Sequence, residues 1–236
     1  MTIASLIPDL ILLLVCHSSG FATDIQDQIK RINAAKLPVE SASANDFVPK
    51  GWIIEEEVTG DLNSDSIPDV AVKLVEEKSP DFDEGNPQER QRALLILFKL
   101  PNGRLQRVAI ADKVLQCTRC GGAFYGVNES PADIEIAKGV IIIRQDHGSR
   151  EIKSETYRFR FDSQTKRFAL IGMDISVHDR MTGESSEEST NFLTNIKITT
   201  VKRYDRERDA DLTVSEKRER VVTKKRFIED VGALYQ

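Results

Sequence analysis

The chain predicts an all-β protein, an antiparallel meander of propeller-like strand order or a distorted sandwich with a short N-terminal helix. Three observations carry this. Period-two and β-branched runs recur from Trp52 onward, turn-forming residues punctuate them, and no long amphipathic helix supplies the crossovers that parallel strands require. At 236 residues the chain is long enough for one large domain or two small ones, with a proper core. Lys+Arg 33 against Asp+Glu 38 leaves a net charge of −5, and no polybasic block sits beside aromatic residues, so a general nucleic-acid binder is disfavoured.

The elements follow in order. Leu10-Ile11-Leu12-Leu13-Leu14-Val15 is too short to span a bilayer, which takes about 20 apolar residues, so no transmembrane span is expected. It reads instead as the core of a signal peptide over residues 1–22, although no Lys or Arg precedes it. Gly20-Phe21-Ala22 offers small residues at the two positions a signal peptidase reads, and cleavage after Ala22 would place the mature chain in the periplasm or outside the cell. A lipid anchor on Cys16 is the rival outcome, disfavoured because branched Val15 occupies the small-residue position before it.

Residues 23–45 read as an N-terminal helix and linker, with Ile25, Ile29 and Ile32 spaced as on a short amphipathic helix over Asp24 to Ala35. Residues 46–236 read as one β-rich domain. Strands are predicted over Trp52–Val58, Asp69–Val75, Ala93–Phe98 and Val140–Arg144. Pro101-Asn102-Gly103 supplies a hairpin turn before Arg104–Ile110, and Asp162-Ser163-Gln164-Thr165 a second one between Tyr157–Phe161 and Arg167–Ile171. Ile196–Val201 and Val221–Phe227 are expected to be the last two strands, joined by a mobile charged loop over Arg203–Arg220. Glu76–Gln91 and Gly183–Thr190 are expected to be further polar connections.

The sharpest chemical signal is Asp61-Leu62-Asn63-Ser64-Asp65-Ser66-Ile67-Pro68-Asp69. Asp61, Asn63, Asp65 and Asp69 put side-chain oxygens at loop positions one, three, five and nine, and the Ile67 carbonyl can supply position seven. Calcium takes six to eight oxygen ligands, and a chain curling around an ion presents alternate side chains inward. Three carboxylates in so short a stretch repel one another unless a cation intervenes. The alternative is a solvated turn in which these side chains satisfy local backbone groups.

These residues resemble the DxNxDxxxD calcium loop of FG-GAP and VCBS-type repeats, which leads directly into an apolar strand, here Val70, Val72 and Leu74. Position six is usually Gly and here is Ser66; position twelve is Val72, so the bidentate Glu of an EF-hand is absent. Phe47–Trp52, Tyr157–Asp174 and Asn191–Thr194 extend a looser resemblance to uncharacterised secreted bacterial proteins carrying one such loop. That resemblance implies a small exported β-protein that binds Ca2+ and works by binding or structural support at the cell envelope, with an unidentified envelope or extracellular partner and no catalysis. The acidic motif occurs once, so a full repeat array is not supported.

Cys117-Thr118-Arg119-Cys120 leaves several readings open. In an oxidising compartment the two sulfurs would form a local disulfide. A thioredoxin-like site would need the first Cys at a helix N-terminus, which Gly121-Gly122 and the flanking strands argue against. Zinc could recruit His147 and His178 as its remaining ligands, and free buried thiols are the fourth state. The alternative function is therefore an envelope thiol-disulfide or zinc-dependent enzyme. No nucleophile elbow, His-Glu-x-x-His, phosphate-cradling glycine loop or paired-carboxylate signature occurs in the chain, and His147 and His178 are expected in solvated positions after strands.

Overall fold

A computed structural model describes residues 31–80 and 88–233. It is a two-layer, all-β arrangement. The strands are β1 (Glu40–Ser41), β2 (Trp52–Gly60), β3 (Asp69–Glu76), β4 (Arg92–Lys99), β5 (Leu105–Ala111), β6 (Ala132–Ala137), β7 (Val140–Gly148), β8 (Glu151–Asp162), β9 (Arg167–Asp179), β10 (Glu184–Asn191), β11 (Ile196–Asp205) and β12 (Ala210–Arg220). A five-stranded sheet runs β1-β5-β4-β3-β2 and a seven-stranded sheet β12-β11-β10-β9-β8-β7-β6, with every pairing antiparallel. Of the two expected arrangements, the sandwich describes it. The signal peptide, Cys16 and most of the expected helix fall on residues 1–30, outside those described; among the described residues of that helix, 31–35, Ala34 and Ala35 belong to a 3-10 turn over Ala34–Lys36.

The core follows from strand alternation. Leu94, Ile96 and Phe98 of β4 face Ile134, Ile141, Ile143, Tyr157 and Phe159 of the larger sheet, and Ile228 and Val231 near the C-terminus join the same cluster. The other face of the small sheet is covered as well. Val72, Leu74, Ala93, Leu95 and Leu97 pack with Phe47 and Trp52, and Ile32, Ala44 and Val48 lie against them. Burial on both faces explains why β4 reads as an unbroken apolar run. At about 1.5–3 kcal/mol per buried side chain, these two clusters supply most of the driving force for folding.

Both expected hairpin turns form. At the first, Gly103 takes φ +81°, its N–H donates to the Leu100 carbonyl at 2.8 Å, and the Asn102 side chain accepts from Arg104 N–H at 3.0 Å. At the second, Asp162 accepts from Gln164 N–H and the Thr165 hydroxyl.

Three expectations are corrected. Arg203–Arg220 is not a loop: β11 and β12 form a long hairpin through it, turning at Asp205, whose side chain accepts from the Glu207 and Arg208 amides. Gly183–Thr190 is mostly strand β10, paired on both sides. Val221–Phe227, expected as a strand, is an extended segment with one bridge, Ala169 to Phe227. For the first two the reason is exposure. Strands β10 and β12 lie beyond the sandwich core, so they carry charges and hydroxyls on both faces and lack the alternation that betrays a half-buried strand. Cross-strand pairs such as Lys202 with Glu187 at 2.8 Å and Lys197 with Glu188 at 3.2 Å replace it.

Candidate functional site

The acidic loop joins β2 to β3. Gly60 lets the end of β2 close on the other sheet, because a Cβ there would meet Ile136 Cγ2 at 2.4 Å. Leu62 then drops into the inter-sheet core, which leaves its polar neighbours at the surface. Asp69 is the latch. Fully buried, it accepts from Leu62 N–H at 2.9 Å and from Lys99 N–H on β4 at 2.9 Å. Burial raises its pKa; the two amide bonds oppose that shift, and the charges of Asp65 and Asp61 add to it.

The other predicted ligands are fixed by the loop's own amides. Asp61 accepts from Ser64 N–H at 2.7 Å and Ser66 N–H at 2.9 Å. Asn63 Oδ1 accepts from Asp65 N–H at 3.0 Å, and Asp65 accepts from Ile67 N–H at 2.8 Å and the Asn63 amide at 2.9 Å. Ser64 and Ser66 take φ of +67° and +66°, so the chain adopts the left-handed turn at position six without glycine.

Each of these oxygens keeps a lone pair after one such bond and is a hard donor of the kind calcium prefers, so the residue types suit the ion, while the bonds they make in this structure are those of a turn satisfied by its own amides. The carboxylates of Asp61, Asp65 and Asp69 do not gather as one ligand cluster. Among the described residues the group of His, Cys, Asp or Glu ligand atoms lying within 4.8 Å of one another is Glu89, Cys117 and Cys120. Asn63 and Asp65 also border an open pocket of about 600 Å³ walled by Phe98 and Phe161, with Arg107 and Lys166 on its rim.

Cys117 and Cys120 are joined in a disulfide, with Cα atoms 5.1 Å apart. They sit in the long connection between β5 and β6, which a buried polar network anchors. Arg90 N–H donates to the Thr118 hydroxyl at 3.0 Å, the Ser130 hydroxyl donates to the carbonyls of Cys117 and Thr118, and Gln116 and Gln145 bond each other and the surrounding backbone. Arg92, 3% exposed, forks onto Glu55 with bonds of 2.8 Å and donates to the Ser130 carbonyl at 2.8 Å. Glu55 reaches it because a bulge between Ile54 and Glu56 takes Glu55 out of the ladder.

Cys117 is fully buried, while Cys120 lines a pocket of about 260 Å³ with His147 and Lys153. The pocket owes its shape to two close backbone approaches: a Cβ on Gly122 would meet the Gly148 carbonyl at 2.7 Å, and one on Gly148 would meet the Glu151 carbonyl at 2.0 Å.

His147 departs from its expected solvated position. It lies within β7, 4% exposed, its Nδ1 3.7 Å from the buried Glu155 carboxylate, which in turn accepts from the Tyr157 hydroxyl at 2.6 Å. Burial lowers its pKa, as does Lys153, with Asp146 acting against them. His178 is exposed on β9. His147 pairs with Lys153 and His178 with Ile152, adjacent residues of β8, so the two imidazoles project from opposite faces of the sheet. The sheet therefore does not bring them together around the cysteines. Sequence reading missed Arg92, Glu55 and Gln145, and the one available signal was Arg92 standing at the head of a wholly apolar run.

No helix among the described residues is long and apolar enough to cross a membrane. Comparison of the chain with family models, with curated proteins and with solved structures returns no match in any of the three.

Proposed function

We propose that this protein is an exported calcium-binding β-module that acts by binding or by structural support at the cell envelope. The observation that carries the reading is the loop 61–69, whose Asp61, Asn63 and Asp65 side chains are pre-set by their own amides while Ser66 holds a turn usually left to glycine. Asp61, Asn63, Asp65 and the Ile67 carbonyl would hold the ion. Asp69, committed to two amides, would complete the set from behind while pinning the loop to β4. A divalent cation there would neutralise the mutual repulsion of three carboxylates. The pocket beside Asn63 and Asp65 gives a ligand somewhere to sit next to the ion.

Thiol-disulfide exchange at Cys117 and Cys120 is the weaker reading. Cys117 is buried, and among the described residues no helix begins at it to stabilise a thiolate.

Thermal unfolding in calcium, magnesium and chelator tests the proposal. For a Kd of about 0.1 mM, typical of tight extracellular modules, about 1 mM calcium stabilises by roughly 1.4 kcal/mol and raises Tm by about 3–5 °C. Magnesium should do far less, since it demands a tighter octahedron. Asp61→Ala and Asp65→Ala should abolish the shift. An identical Tm in calcium and chelator would sink the proposal.

A further inference from the structure

Strand β9 outruns the partner beside it. Its residues Gly172–His178 pair with β10, but Ala169 bridges Phe227, and Leu170 N–H donates to the Arg226 carbonyl at 2.9 Å. The C-terminal segment thus takes the place in the sheet that β10 vacates as the chain turns away at Phe192. Between them lies a notch of about 310 Å³, within the size range of small-ligand sites.

One side is apolar, formed by Leu170, Ile171, Phe192 and Leu193, and Leu193 is 62% exposed. Its rim is cationic. Lys225 is held by Asp162, but Lys224 and Arg226 have no carboxylate partner among the described residues, and no Asp or Glu lines the notch. Asn195 accepts the Thr223 hydroxyl on its side-chain oxygen at 2.9 Å, which leaves its amide nitrogen as another donor. The Arg226 guanidinium stands 5.5 Å from the Phe192 ring centroid, so the positive head and the apolar wall adjoin.

Exposed cations without a carboxylate partner occur elsewhere on the surface, but here two of them stand together on the rim of a recess that has an apolar side and no acid in its lining. We propose that this notch binds a small amphiphilic carboxylate, its head on Lys224, Arg226 and Asn195 and its alkyl or aryl body against Phe192, Leu170 and Leu193. Charge complementarity selects the anion, and the apolar side favours a ligand with a hydrocarbon body over a fully hydrated ion such as acetate.

Titration calorimetry of the full chain with sodium octanoate tests this. The expected Kd is about 1 mM or tighter, appropriate to so few ligand atoms. Octanamide, which keeps the tail and removes the charge, should bind at least about tenfold more weakly. The double variant Lys224→Gln/Arg226→Gln should lose octanoate affinity by at least about tenfold with an unchanged melting temperature, because both side chains are exposed. Lys224→Gln alone should show a smaller loss in the same direction. Equal binding of octanoate and octanamide, full affinity in the folded double variant, or no binding up to about 10 mM would each overturn the proposal.

Discussion

At the scale of single residues, Ser66 and His147 carry environments that make measurable demands. Ser66 is exposed and holds φ at +66°, a region that costs an L-residue about 1–2 kcal/mol relative to glycine. Ser66→Gly relieves that strain and gives back part of the gain through the freer unfolded chain, so a net stabilisation of about 0.5–1 kcal/mol is expected in denaturant unfolding. A destabilised variant would mean that the serine hydroxyl matters more than the backbone. For His147, burial lowers the folded pKa below the ordinary value of 6.5, so the unfolded chain binds more protons in the window between the two. Stability from this group is therefore present above pH 6.5 and declines as pH falls toward and through the lowered folded pKa. Lys153 faces it from β8 and reinforces the shift, and Asp146 opposes it. Unfolding midpoints between about pH 7.5 and 5.5 should fall in the native chain and fall less in His147→Phe; equal slopes would refute the assignment.

At the scale of elements, the strands divide by what covers them. β4 is central in its sheet and buried on both faces, by the larger sheet on one side and by Phe47 and the residues around it on the other. β12 is an edge strand with nearly every residue exposed, and its Lys, Arg and Glu side chains disfavour edge-to-edge pairing. Opening β12 exposes little apolar surface, whereas opening β4 dismantles both clusters. Hydrogen exchange should therefore be slower in β4 than in β12 by roughly two orders of magnitude, and uniform protection across the two would contradict this packing. The disulfide closes too short a loop to dominate its neighbourhood, with about 2 kcal/mol at most from chain entropy. Arg92, Gln116, Thr118 and Ser130 already hold that connection through buried hydrogen bonds.

At the scale of the whole molecule, two sheets of unequal width share one core. The narrower sheet covers part of the wider one, and the remaining strands project into solvent as a polar extension. One edge of the interface between the sheets is closed by ions rather than by apolar side chains. Lys73 reaches Glu56 at 2.7 Å and the Ala132 carbonyl at 3.0 Å, and Arg92 reaches Glu55, Glu129 and the Ser130 carbonyl. Such cations are tolerable only because each is both paired and hydrogen-bonded; a buried charge that loses its partner typically costs about 3–5 kcal/mol. The acidic loop, the cystine pocket and the C-terminal notch lie where strands end or change partners, outside the continuous ladders.

The sequence by itself determined the β class, both hairpin turns and the place of the acidic loop, and it offered the Cys117–Cys120 disulfide as one of four states, among which the structure chose. Each is a local matter: glycine and asparagine turn chemistry, alternation in Tyr157, Phe159 and Phe161, four oxygens in register, and two sulfurs three residues apart. Tertiary structure decided the rest. Whether Glu184–Asn191 and Ala210–Arg220 become strands depends on partners across the sheet, because charged segments carry no burial pattern of their own. His147 is buried only because β8 and the Cys120 connection close around it, and the notch exists only because a C-terminal segment meets β9 where β10 departs. Those contacts join residues far apart in the chain, and a local pattern does not record which distant segment will arrive.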